Sequence, residues 1–99
     1  MRLADLAHCR AGDKGDDAVL AVIPYEAADL ARITALLVPE VVAAHFGGMP
    51  TADVEVVEAL GALVLTLRNR LGGGVTSSLG IDPHGKTLSG HLLTLGVPA

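Results

Sequence analysis

Six consecutive apolar residues, Ala18-Val19-Leu20-Ala21-Val22-Ile23, lie between a charged stretch and Pro24. A run that short and continuous fits a central β-strand and is too short for a typical helix. A sheet therefore lies at the centre of the fold, and the rest of the chain must supply its neighbours and its cover. Residues 2–8 alternate loosely, with both faces mixed, as in a short strand buried on at least one side. Between these two strands, Arg10-Ala11-Gly12-Asp13-Lys14-Gly15-Asp16-Asp17 reads as a polar loop.

Pro24 closes the second strand and permits a helix soon after it. From Glu26 onward, Leu30, Ile33 and Leu37 recur at spacings of three and four, which places them on one helix face. Pro39 has no amide hydrogen to donate and should break or kink that helix. Val41, Val42, His45 and Phe46 continue on a shorter segment, and Gly47-Gly48-Met49-Pro50 stops it. Val54-Glu55-Val56-Val57 and Leu63-Val64-Leu65-Thr66-Leu67, with Gly61 between them, read as an antiparallel hairpin. Gly72-Gly73-Gly74 must be a loop, because helix and strand interiors do not tolerate that much backbone freedom. Residues 76–81 and 88–95 fit two strands around an Asp82-Pro83-His84-Gly85 turn, and either fits a short helix equally.

The expected architecture is one α+β domain with an antiparallel or mixed sheet and the 26–46 helical segment on one face. Leu30, Ile33 and Leu37 should be buried against Val19, Val22, Val56 and Leu65. The chain has 99 residues, room for one compact domain. With 51% hydrophobic residues and a single cysteine, it needs neither disorder nor a disulfide to account for its composition. Tyr25 and Phe46 are its only aromatic rings of the Phe, Tyr and Trp type, and its net charge is −4. Both features argue against nucleic acid, which is bound by basic patches and stacking platforms. The sequence has no apolar run near the roughly 20 residues that cross a bilayer, and its start lacks the apolar core of a signal peptide. The expected location is cytoplasmic.

The stretch from Arg10 to Asp17 carries five of the eighteen charged residues. Glycines at 12 and 15 would let a loop turn its amides toward one point, as anion-binding nests do, with Arg10 and Lys14 clamping a phosphate or carboxylate. The plainer alternative is a solvated loop whose charges pair locally. Gly80-Ile81-Asp82-Pro83-His84-Gly85-Lys86-Thr87 matches the phosphate-loop pattern literally. The NTPase reading fails because only twelve residues follow Thr87, too few for the remaining βα units. Pro83 also removes a cradling amide and Asp82 would repel phosphate.

His8, His45, His84 and His91 have no metal-ligand spacing among them, and His8 and Cys9 would point to opposite faces of a strand. No metal is expected. Cys9 is a nucleophile only if folding brings it a histidine base, and otherwise an inert buried thiol. Thr76, Ser77 and Ser78 after the triglycine could bind an anion alongside its amides or serve only in a turn.

Leu3-Ala4-Asp5-Leu6-Ala7-His8 followed by Arg10-Ala11-Gly12-Asp13-Lys14-Gly15-Asp16 resembles the opening of the AtuA-like family of small domains. Further matches are Val42-Ala43-Ala44-His45-Phe46, Leu71-Gly72-Gly73-Gly74-Val75-Thr76, Ser78-Leu79 and the Asp82-to-Leu88 stretch, so the resemblance covers the chain nearly end to end. The sequence departs from the family pattern at Cys9, where alanine is frequent, at Ala11, where serine is, and at Gly80, where a larger residue is usual. The last departure makes the phosphate-loop match accidental. The resemblance implies a ferredoxin-like two-layer α+β sandwich over residues 1–99. It also implies association with a larger acyclic-terpene-utilisation domain, fused to this module in some proteins and separate in others. Its setting there is the breakdown of acyclic terpenes and branched acyl-CoA compounds.

Two functions fit. In one, the chain is a small subunit whose loops complete a site or hold CoA phosphates at a boundary with a large AtuA-type chain. In the other, it is a binding or structural module without chemistry that self-associates through an apolar sheet face; either way an oligomer is expected. The expected anion patch joins Arg10, Gly12, Asp13, Lys14 and Gly15 to Gly72, Gly73, Gly74 and Lys86, with Asp13 orienting Arg10. No cofactor is expected, and a CoA thioester is the candidate ligand. His8 and His84 are the candidate proton carriers, because histidine titrates near neutrality.

Overall fold

The computed structural model describes residues 1–68 and 86–98. Four strands form one sheet: β1 (Ala7–Lys14), β2 (Asp17–Pro24), β3 (Val54–Ala59) and β4 (Ala62–Leu67). The spatial order is β1-β2-β4-β3 and every neighbouring pair is antiparallel. Two local hairpins, β1–β2 and β3–β4, thus meet along a β2–β4 seam that runs from Ala18↔Leu67 to Val22↔Leu63. The helices are α1 (Leu30–Leu36), α2 (Pro39–His45) and α3 (Lys86–Leu93), with short 3-10 turns at Leu3–Asp5, Ala27–Asp29 and Thr51–Asp53.

The apolar run expected as a central strand is β2. Successive side chains on a strand point to opposite faces, and here Ala18, Leu20 and Val22 are buried while Val19, Ala21 and Ile23 are only half-buried. β4 repeats the pattern, with Leu63, Leu65 and Leu67 buried and Ala62, Val64 and Thr66 half-buried. The buried face packs against Ile33 and Leu37 from the first helical segment, Val42, Ala43 and Phe46 from the second, and Leu88 and Leu92 of α3. The helices therefore cover one face, giving the ferredoxin-like α+β sandwich that the resemblance implies, with a wholly antiparallel sheet.

Ile33, Leu37, Val22 and Leu65 lie in the core as expected, and Leu30 and Val56 pack against its edge. Val19 does not. It shares a register with Gly12 and Thr66 on the face away from the helices, because a six-residue run on a half-covered sheet still alternates. Pro39 divides the 26–46 segment: Val38 is extended before it, and Pro39 opens α2 in the first turn, where no amide is needed. Residues 86–93 of the ambiguous C-terminal stretch form a helix, with Leu88 and Leu92 one turn apart facing the core. The 76–81 reading lies outside the described residues.

The tail returns to the N-terminus. The Leu3 amide donates to the Leu95 carbonyl and the Val97 amide to the Met1 carbonyl, both at 2.8 Å. Arg68, just past β4, ties down the entry to β3: its amide donates to the Asp53 carbonyl at 2.8 Å, and its guanidinium to the Ala52 carbonyl at 3.2 Å and Glu55 Oε1 at 2.9 Å. No described helix is long and apolar enough to cross a membrane.

Candidate functional site on the open sheet face

The charged stretch expected as a loop is a hairpin. β1 runs through Lys14 and pairs with β2 residue by residue from Ala7↔Pro24 to Lys14↔Asp17, leaving only Gly15 and Asp16 for the turn. Gly15 has φ +63° and Asp16 has no positive φ, the sign pattern of a type II′ turn, which wants glycine first. Gly12 lies within the strand and has no positive φ, so it does not help form a backbone nest. The physical reason for the difference is pairing. Ladder hydrogen bonds to β2 hold charged residues extended that on their own would favour a loop.

Alternation then sorts the candidate residues. His8, Arg10, Gly12 and Lys14 share the face away from the helices, whereas Asp13 falls on the other side with Cys9 and Ala11. Asp13 therefore does not orient Arg10. Arg10, Gly12 and Lys14 are exposed, and a Cβ placed on Gly12 would meet nothing within 4 Å. Arg10 and Lys14 are four residues apart, about 13 Å along an extended strand. The bare Gly12 between them leaves a notch over which a guanidinium and an ammonium can converge on one anionic group. His8 begins the row, its ring 5.6 Å from that of the exposed Tyr25.

Lys86 is the first residue of α3, which packs along β1 from the helical side. Gly72, Gly73, Gly74 and His84 lie outside the described residues. Among the described residues, no group of three or more His, Cys, Asp or Glu side chains could hold a metal ion. Burial pushes the Cys9 thiol up from 9.0 to about 12, so it stays protonated, and hence a poor nucleophile, at neutral pH. A cavity of about 380 Å³ opens elsewhere, between α1, α2 and the tail, lined by Arg32, Ala35, Leu36, Val41, Val97 and Pro98. The Arg32 guanidinium donates to the Pro98 carbonyl at 3.0 Å, and no candidate residue from the sequence lines that cavity.

Sequence reasoning missed one constellation. The imidazole Nε2 of His45 donates to the His91 carbonyl, and that of His91 to the His45 carbonyl, each at 2.7 Å. Because both acceptors are carbonyls, both rings carry their proton on Nε2. The rings stack at 4.3 Å and 18°. Helix ends leave their last carbonyls without intrahelical partners, so α2 and α3 here cap each other reciprocally. The Thr94 hydroxyl donates to the His91 carbonyl at 2.6 Å and lies 3.2 Å from His45 Nε2, from which it accepts. The available signal was position, since each histidine sits in the last turn of its helix.

The fold is that of a small α+β domain with helices on one sheet face and a row of basic side chains on the edge of the other. The AtuA ferredoxin-like domain model matches residues 1–98, and the chain belongs to that family. No curated protein and no solved structure matches the chain.

Proposed function

We propose that the chain is the small binding subunit of an AtuA-type assembly. It partners a larger AtuA-type chain in acyclic terpene or branched acyl-CoA metabolism and presents an anion-binding row at the boundary between them. The notch over Gly12, flanked on one exposed face by Arg10 and Lys14, is the observation that supports this reading. A guanidinium binds phosphate or carboxylate oxygens in a bidentate fork and an ammonium adds a point charge, so the phosphates of a CoA thioester are the ligand class that fits. His8 is the candidate proton carrier of the row. Lys86, Gly72, Gly73, Gly74 and His84 remain candidates to extend the patch. A second reading, self-association without chemistry, is favoured by the apolar centre of the same face at Val19, Ala21, Ile23 and Val64.

The test is purification at native expression level followed by calorimetric titration of the recovered assembly with an acyl-CoA. A large AtuA-type chain should come with this one. Arg10→Ala and Lys14→Ala should each weaken acyl-CoA binding by about 1–3 kcal/mol, the scale of a lost charged hydrogen bond. Unchanged affinity in both variants, or consistent absence of the large chain, refutes the proposal.

A further inference from the structure

We infer that a second copy of this chain closes the open sheet face, with Glu55 of each protomer seated between Arg10 and Lys14 of the other. The inference rests on the reading above that the β1 row takes anions, and it names the anion as a carboxylate of the same chain.

The face is apolar in the middle and charged at opposite edges. At one level across the sheet, Arg10, Ala21, Val64 and Val57 stand side by side from β1 to β3. At the next level the row is Gly12, Val19, Thr66 and Glu55. β1 is thus the basic edge, with Asp17 of β2 across from Lys14 one level further along, and β3 carries Glu55 at the far edge. No described element covers the valines and alanines between them, and Val57 is 48% exposed.

Two sheets stack face to face about 10 Å apart with their strands roughly aligned. A two-fold axis parallel to the strands places β1 of one protomer over β3 of its partner and preserves the level along the strand. The apolar pairs then meet in the middle, with Ala21 opposite the partner's Val64 and Val19 opposite the partner's Thr66. At the edge, the partner's Glu55 comes down over Gly12, the one position of the row with no side chain to displace it. Arg10 and Lys14 flank it at about 7 Å along the strand on either side. Within its own protomer Glu55 uses Oε1 to accept from Arg68, which leaves Oε2 to face the partner's cations. The arrangement is isologous: both halves of the interface are the same patch, so it closes at two. The opposite choice of axis, across the strands, would put basic edge on basic edge.

Sedimentation velocity on the full chain from 1 to 100 µM tests this. The wild type should run as a dimer, and Val64→Asp as a monomer with an unchanged far-UV circular dichroism spectrum. Arg10→Glu and Glu55→Arg should each raise the dimer dissociation constant at least tenfold. The double variant Arg10→Glu/Glu55→Arg should recover most of that loss, which a merely structural role for either residue would not produce. A chain that stays monomeric at 100 µM, a dimer indifferent to Val64→Asp, or a double variant no tighter than the singles overturns the inference. Titrating CoA into the Val64→Asp protein separates the two readings. Binding there without a wild-type dimer sinks only the dimer, and a dimer without CoA binding sinks only the CoA ligand.

Discussion

The reciprocal cap between His45 and His91 has a calculable effect on stability. Each ring contributes one hydrogen bond to a helix-terminal carbonyl, and the two share one stacking contact. A neutral hydrogen bond contributes about 0.5–1.5 kcal/mol net, and an aromatic stack about 0.5–1.5 kcal/mol. Both rings are reached by water, which argues for the lower half of each range; solvent can satisfy the His45 carbonyl, and the His91 carbonyl keeps the Thr94 amide at 3.1 Å and hydroxyl at 2.6 Å. His45→Ala and His91→Ala should therefore each cost about 1–2 kcal/mol, a fall of roughly 4–16 °C in Tm for a domain of this size. The two bonds use different side chains and different carbonyls, so they add; the stack is counted once in the double variant. The double mutant should thus fall short of the summed singles by about 0.5–1 kcal/mol, the coupling of the stack alone. His91→Phe keeps a ring over His45 without the donor and should lie between wild type and His91→Ala. Urea unfolding at pH 8, followed by circular dichroism, measures all four variants. Additive singles would mean that the rings do not stack in solution, and an unchanged Tm in either single would mean that the cap does not form.

Leu37, 1% exposed between α1 and α2, should cost about 2–5 kcal/mol as Leu37→Ala, read as a lower urea midpoint with unchanged slope. Cys9 has its thiol raised to about 12 against 9.0 when unfolded, so the folded state holds the proton longer. Any stability this contributes is complete below pH 9 and lost as pH rises from 9 to 12, and Cys9→Ala should flatten that decline in thermal melts. Iodoacetamide should label Cys9 slowly at pH 7.5 in native protein and quickly in urea; equal rates would contradict its burial. Leu60 is fully exposed with φ +53°, followed by Gly61 at φ +80°, a turn that favours Asn-Gly. Leu60→Asn should raise stability by about 0.5–1 kcal/mol in the same urea assay, relieving a left-handed side chain.

The parts of the fold legible in the sequence are those that turn a regular apolar face to the core. β2 showed as an unbroken apolar run and β4 as a leucine-rich alternation, because both lie in the middle of the sheet with neighbours on two sides. Pro39 marked the helix break because a missing amide is a local property. The strand expected over residues 2–8 meets β1 only at Ala7 and His8, since Leu3–Asp5 is a 3-10 turn. The rest of β1 was hidden because its outer side chains face solvent and carry charge, so only pairing with β2 declares it a strand. Of the candidate site, Arg10 and Lys14 were legible as paired cations. Their true relation, one face across a bare Gly12 with Asp13 turned away, depends on alternation that a loop reading does not apply. The histidine cap was hidden because its members are 46 residues apart and each bonds the other's backbone, a partner with no sequence signature.

The connectivity of the sheet also governs how the chain reaches this structure. Each hairpin closes locally through a two-residue turn, an event on the order of 1–10 µs. The β2–β4 seam is different: it joins Val22 to Leu63 and so must close a loop that contains both intervening helical segments. Ordering that loop costs entropy before the seam's contacts repay it. This connectivity makes closure of the seam along Leu20, Val22, Leu63 and Leu65 the step expected to limit the folding rate. Substitutions at Leu20 and Leu63 should then slow folding, whereas changes at the β1 edge should leave the folding rate nearly unaltered, which stopped-flow refolding measures.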